Sequence, residues 1–349
     1  MASVAASQLH KRQARSALVT GLVLFAATQA GLAVVIDSRR PELRDVEFGW
    51  KIVRLRQLVA AEPDRPLAVM LGSSRTAYGF KGEEYRAALA ARGRAVLAYN
   101  LGVSNGGPVR QVSCLKHLLR HEKKPALVVA EVFPLFLRAE PVNVPALSWQ
   151  DMVDAGKYLP DPRRARWDWA LSRLTGWYAH RFLILGRVSK SWLPRGEGVD
   201  VLEFLHRTDR TGWVRPRPDW TPLPPEVRKV RFAACPLFQD AYDHFSISRQ
   251  ARRALTDLVR RCRQEAIPVV LVLMPEPSEL RGWNTPHTEA EVQAFLGGLR
   301  QEGATLLDGR RWLGDEHFWD THHTVASGAR RFTALLAEKT APLLGSPPR

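Results

Sequence analysis

Residues 67–75 read Leu67-Ala68-Val69-Met70-Leu71-Gly72-Ser73-Ser74-Arg75. Five uninterrupted apolar residues suit a strand buried on both faces, and the Gly-Ser turn after them ends it. The signature recurs downstream: AVLAY at 95–99 runs into Asn100-Leu101-Gly102 and a second turn, Asn105-Gly106-Gly107-Pro108, and ALVVAEV fills 126–132. Helical stretches over 82–92 and 109–120 separate these runs. Strand, helix, strand, helix, strand in that order implies parallel pairing.

The pattern resumes near the C-terminus. Ser248 stands as an N-cap before Ala251, Leu255, Leu258, Val259 and Cys262, which recur at the spacing of one helix face. IPVVLVLM at 267–274 is a further strand, followed by a helix over 289–301, a short strand at 305–307 and a final amphipathic helix over 327–344. The expected fold is α/β, with three layers (α/β/α) around a central parallel sheet, covering residues 65–345. Residues 134–240 interrupt it with an insertion rich in Trp and Pro and a single helical stretch around 167–188. Its seven tryptophans (Trp149, Trp167, Trp169, Trp177, Trp192, Trp213 and Trp220) suit three roles: a small core of the insertion's own, stacking on sugar rings, or a place at a bilayer interface.

Ahead of the domain, residues 17–36 (ALVTGLVLFAATQAGLAVVI) carry no charge and match the length of a membrane-crossing helix. The reading is a basic tail at 1–16, a transmembrane anchor at 17–36 and a linker with a short helix at 37–64. Lys11, Arg12 and Arg15 before the span favour a cytoplasmic N-terminus and a single-pass topology with the domain outside the cytoplasm, while Arg39, Arg40 and Arg44 after it pull the other way. Thr28-Gln29-Ala30 offers a signal-peptide cleavage site, but the apolar run continues through Ile36, which favours a retained anchor.

Composition narrows the functional classes. The 349 residues are 45% apolar, enough for a sizeable core. The 51 Lys and Arg against 35 Asp and Glu give a net charge of +16. These cations are spread along the chain without a nucleic-acid-binding motif, so no nucleic-acid partner is expected. Cys114, Cys235 and Cys262 make neither a disulfide framework nor a metal knuckle, and no cofactor is called for.

In doubly wound sheets chemistry gathers at the C-terminal ends of the strands. Ser74 follows the first strand there, in a turn that exposes a hydroxyl and converges backbone N–H groups. Gly102 closes the Asn100-Leu101-Gly102 block, where a substrate can approach the backbone. Asp320-Thr321-His322-His323 before the last helix sets a carboxylate against one imidazole, leaving its second nitrogen for a serine proton. His317, Asp320, His322 and His323 also lie close in sequence, but a zinc site wants a third ligand at helical or hairpin spacing and no metal is expected.

Taken in order, these blocks resemble the SGNH/GDSL hydrolase superfamily. The resemblance implies a flavodoxin-like three-layer fold, with Ser74 as nucleophile in a block where Ser73 replaces the usual Asp. It implies Asp320 and His323 as the other triad members, and backbone N–H groups of Ser74 and Gly102 in the oxyanion hole. The third block departs: Glu131-Val132-Phe133-Pro134 stands where Gly-x-Asn-Asp is usual, and Asn105 on the neighbouring turn is the substitute amide donor. Arg75 and Asn100 are candidate substrate contacts, while Glu276 and Arg281 read as a surface pair. The Gly-Ser-Ser-Arg turn, the anchor and the missing third block look like the membrane-bound branch similar to alginate O-acetyltransferases and the teichoic-acid D-alanylation protein. That resemblance implies an esterase or O-acyltransferase at the membrane, with an acyl donor or envelope polysaccharide as partner and lipid met through the N-terminal helix. The rival expectation is a catalytically inactive relative that binds glycan or an envelope partner.

Overall fold

The computed structural model describes residues 2–174, 176–193, 199–234 and 242–344. Strands β1 (Leu67–Gly72), β2 (Leu97–Gly102), β3 (Leu127–Val132), β4 (Val269–Leu273) and β5 (Thr305–Asp308) form one sheet in the order β2-β1-β3-β4-β5, and every neighbouring pair is parallel. β1 to β4 are buried throughout, so their sequences run apolar without alternation.

Three helices precede the sheet: α1 (Ala2–Arg39), α2 (Pro41–Arg44) and α3 (Val46–Ala61). α4 (Ser74–Gly79) and α5 (Gly82–Ala90) join β1 to β2, and α6 (Pro108–His121) joins β2 to β3. Then come α7 (Pro134–Arg138), α8 (Trp149–Ala155), α9 (Pro162–Leu174), α10 (Gly176–Val188), α11 (Val199–Arg207) and α12 (Pro225–Ala233). The chain closes with α13 (Arg249–Gln264), α14 (Ser278–Gly282), α15 (Pro286–Gln301) and α16 (Ala326–Thr340). Side chains of β1 alternate between two cores. Val69 and Leu71 pack with Leu55 of α3, Leu115 of α6 and Leu258 of α13, whereas Ala68 and Met70 pack with Tyr85 of α5 and Phe332 of α16. The fold is therefore a three-layer α/β/α arrangement, and its strand order switches between β1 and β3.

Two segments differ from their sequence reading. Residues 37–64 are not a linker: α3, N-capped by the Asp45 carboxylate at 3.1 Å from Phe48 N, buries Phe48, Ile52, Leu55 and Leu58 in the main core. Its apolar positions recur at helical spacing among charges that hide the pattern. The insertion, read as holding one helical stretch, is instead a succession of short helices, because its prolines begin or separate helices rather than preventing them. Cys114 and Cys262 are buried, and burial pushes both thiols up to about 12; Cys235 lies outside the described residues.

α1 contains a stretch, Lys11–Arg39, long and apolar enough to cross a membrane, with 11% of its most apolar window buried. Leu18, Leu22 and Phe25 on it are exposed.

Candidate active site

β1 ends at the switch in strand order, and the chain turns at once into α4. Ser73 is the N-cap: its Oγ accepts the N–H of Arg75 at 3.1 Å. Ser74 is thus the first residue of the helix and is half-buried between buried neighbours. Among the described residues its N–H has no hydrogen-bond partner, as expected at a helix N-terminus. Two glycines permit this packing. A Cβ on Gly72 would meet Thr76 Oγ1 at 2.1 Å and Glu131 Oε2 at 2.4 Å, and one on Gly102 would meet Ala77 N at 2.4 Å.

The residues of the Asp-x-x-His block converge on Ser74. His323 Nε2 lies 2.8 Å from Ser74 Oγ, and His323 Nδ1 lies 2.6 Å from Asp320 Oδ2. The second carboxylate oxygen of Asp320 accepts the backbone N–H groups of His322 and His323 at 2.8 and 2.6 Å. This network assigns the proton to Nδ1 and leaves Nε2 as acceptor for the serine hydroxyl. Burial alone would raise Asp320's pKa, but the two histidines and the N–H donors hold it below the usual carboxylate range. His322, half-buried and 3.9 Å ring to ring from His323, is pushed down to about 3 by desolvation and by the neighbouring His323 and Arg75, against the raising effect of Asp320. It stays neutral. Asp320, His322 and His323 offer ligand atoms within 4.8 Å of one another, yet Asp320 and His323 close on each other and His322 Nδ1 lies 2.8 Å from Thr321 Oγ1.

Aromatic rings hold the imidazole in place. Trp319 stacks on His323 at 5.3 Å and 9°, and Tyr78 of α4 meets its edge at 5.3 Å. Trp220, from the insertion, stacks on Trp319 at 3.9 Å. Tyr78 and Trp220 also form the triad-side wall of a cavity of about 830 Å³, to which Asn105, Phe182, Leu183 and Phe204 contribute. Charged groups line it as well, among them Asp45, Arg110, Glu140 and Arg207.

Several expected site residues have other tasks. Asn100 is fully buried and does not face a ligand: its Nδ2 donates to the carbonyls of Thr76, Ala77 and Phe80 at 2.8, 3.2 and 2.7 Å, capping the end of α4. Its Oδ1 takes the N–H of Gly102 at 2.9 Å, so that N–H is already engaged and does not point at an oxyanion. Lys51 Nζ, from the segment read as a linker, donates to the Gly102 carbonyl at 2.6 Å. Arg75 turns inward rather than toward substrate: its Nη2 donates to the carbonyls of Met274 and Pro275 at 3.2 and 2.9 Å, and its guanidinium sits over Phe133 at 4.2 Å. Glu276 is not half of a surface pair either. It is buried 4.0 Å from Arg75, while Arg281 donates to its backbone carbonyl.

Asn105 is exposed, with φ at 57°, on the turn that leans on β1: Val103 N donates to the Gly72 carbonyl at 3.0 Å, and a Cβ on Gly106 would meet that same oxygen at 2.3 Å. Left-handed φ suits Asn better than most residues.

The residue missed from sequence is Glu131. At the end of β3 its carboxylate accepts Ser73 N at 2.7 Å, Ser73 Oγ at 3.0 Å and Thr76 Oγ1 at 2.7 Å, with Arg75 Nη1 at 3.7 Å. The signal was an acidic residue inside an apolar strand.

No family model matches the chain, and no curated protein matches it. Among solved structures, the esterase AlinE4, described as an SGNH-hydrolase family esterase, is 15% identical over 81% of this chain and 98% of that chain, at a TM-score of 0.34. Two variants of that esterase are 15% and 14% identical, covering 70% and 81% of this chain and 76% and 98% of theirs, each at a TM-score of 0.31.

Proposed function

We propose that this chain is a membrane-anchored, SGNH-like serine esterase or O-acyltransferase. The observation that carries this is the continuous relay from Ser74 Oγ through His323 to Asp320, with contacts of 2.8 and 2.6 Å. His323 Nε2 takes the Ser74 proton as Oγ attacks an ester carbonyl carbon. The tetrahedral intermediate collapses by breaking the ester C–O bond, and His323 returns the proton to the departing alkoxide. An acyl group remains on Ser74. Water or a second hydroxyl then attacks it, with His323 again as base, releasing a carboxylic acid or a new ester.

The free N–H of Ser74 supplies one donor to the oxyanion, and the amide of Asn105 is the second. The charged cavity beside Tyr78 and Trp220 suits a hydroxyl-rich substrate, and ester groups of an envelope polysaccharide are the substrate class we favour. α1 serves as the anchor, with the N-terminus cytoplasmic and the domain extracytoplasmic.

A second reading has one observation in its favour: with the N–H of Gly102 tied to Asn100, the oxyanion site loses an expected backbone donor. This supports a binding protein without turnover. A fluorophosphonate probe separates the two. The enzyme forms an adduct at Ser74 at neutral pH, and folded protein that forms none is the binding protein.

A further inference from the structure

The insertion exposes apolar surface in a pattern that a free-standing domain would hide. On α9, Trp167, Leu171 and Leu174 follow the i, i+4, i+7 spacing of one helix face, and all three are exposed, while Ala165 is the residue buried against the core. Of the large apolar side chains exposed among the described residues outside α1, all but Val227 and Val230 fall between Trp149 and Trp192. They are confined to one region, and several are the Trp and Tyr favoured at a bilayer interface.

This region is continuous with α1. The N–H of Trp177 donates to Gln29 Oε1 at 2.8 Å, and Gly176 lies against Gln29 and Ala33, where a Cβ would be in ordinary contact. Asp37 at the end of α1 accepts from Arg44 and from Arg173 of α9, at 2.8 and 3.0 Å. Between α1 and the domain lies a cavity of about 990 Å³, with Phe25, Ala30 and Val34 on one side and Trp149, Trp169 and Leu174 on the other; charged groups, among them Arg56, Arg120 and Asp151, line it as well. At the start of α9, Arg163, Arg164 and Arg166 are exposed, a cationic edge beside the apolar face.

We infer that α9 and α10 are a docking surface for the interface of the same bilayer that α1 crosses. The exposed apolar face enters the boundary between headgroups and acyl chains, the arginines meet anionic headgroups, and lipid fills the gap against α1. Because α10 also gives Phe182 and Leu183 to the cavity beside the triad, the seated helix holds that cavity next to the membrane. The inference rests on the proposed reading of α1 as the anchor, together with the contacts to it, and not on the chemistry of Ser74.

The test uses the full chain in nanodiscs of phosphatidylcholine and phosphatidylglycerol, with a genetically encoded solvatochromic amino acid at position 167, 178 or 230. Tyr178 and Val230 are exposed, and Val230 on α12 is the off-surface control. Emission at 167 and 178 should move to the blue of that at 230 and be quenched severalfold more by doxyl-labelled lipid. Emission and quenching at 167 and 178 equal to those at 230 would overturn the inference. So would a blue shift without lipid quenching that accompanies two copies per disc, since the face would then be covered by a second copy.

Discussion

Glu131 accepts both the backbone N–H and the hydroxyl of Ser73, at 2.7 and 3.0 Å, one residue before Ser74. It also holds Thr76 on the first turn of α4 and faces the Arg75 guanidinium, so one buried carboxylate fixes the turn that aims Ser74. Glu131→Gln keeps the shape but cannot accept all these donors and leaves Arg75 short of a counter-charge. Breaking a buried pair in this way costs about 3–5 kcal/mol. Urea unfolding should show a loss of that order, with slower Ser74 labelling in the molecules that remain folded. A change below about 0.5 kcal/mol, the range of ordinary surface substitutions, would assign the carboxylate no structural role.

Ser74→Ala and His323→Ala should each lower ester turnover by about 10⁴-fold or more, and the double variant should lose little beyond either alone, because the two act as a unit. Steady-state hydrolysis of an activated ester reads this directly. Independent, multiplying losses would mean that the 2.8 Å contact between them is not used.

Asn105 is the side-chain donor we propose for the oxyanion. Glycine tolerates its φ of 57°, so Asn105→Gly removes only the side-chain amide. Turnover should fall about 10²-fold or more if that amide holds the oxyanion, with stability changed by less than about 1 kcal/mol. Unchanged turnover would leave the backbone N–H as the donor.

Lys51 provides a pH signature. Burial lowers its pKa to about 7, against the raising effects of Glu47 and Asp209. Between pH 7 and the ordinary lysine range the unfolded chain binds a proton that the folded chain has released, so stability rises with pH. The slope approaches at most about 1.4 kcal/mol per pH unit. Denaturant midpoints at pH 7, 8 and 9 should climb in the parent chain and flatten in Lys51→Met. An equal slope in both would show that Lys51 is charged in the fold.

The approach of Ser74, His323 and Asp320 was legible because its geometry is local. Ser74 follows an apolar run directly, and three-residue spacing from Asp320 to His323 suffices to bring carboxylate and imidazole together. The sheet was legible for a related reason: strands buried on both faces leave unbroken apolar runs. What escaped depends on where side chains aim across elements distant in sequence. Asn100 reads the same whether it faces a ligand or caps α4, and only the three carbonyls of Thr76, Ala77 and Phe80 decide it. Gly102 looked like a donor because its glycine was visible and its partner was not. Lys51 stood in a segment whose charges disguised a core helix, and nothing in the insertion's composition announced that Trp220 would stack on Trp319.

α1 runs for 38 residues, about 57 Å at helical rise, and passes through α2 into α3 with Asp37 gripped by Arg44 and Arg173. A slack tether would let a catalytic domain wander over a hemisphere of positions. With α1 as the anchor we propose, a stem clasped at its base removes that freedom and sets the altitude of Ser74 above the point where the stem leaves the lipid. On that proposed reading the protein works as a gauge of fixed height: ester groups within that narrow stratum meet the serine repeatedly, and those deeper in the envelope must be carried to it.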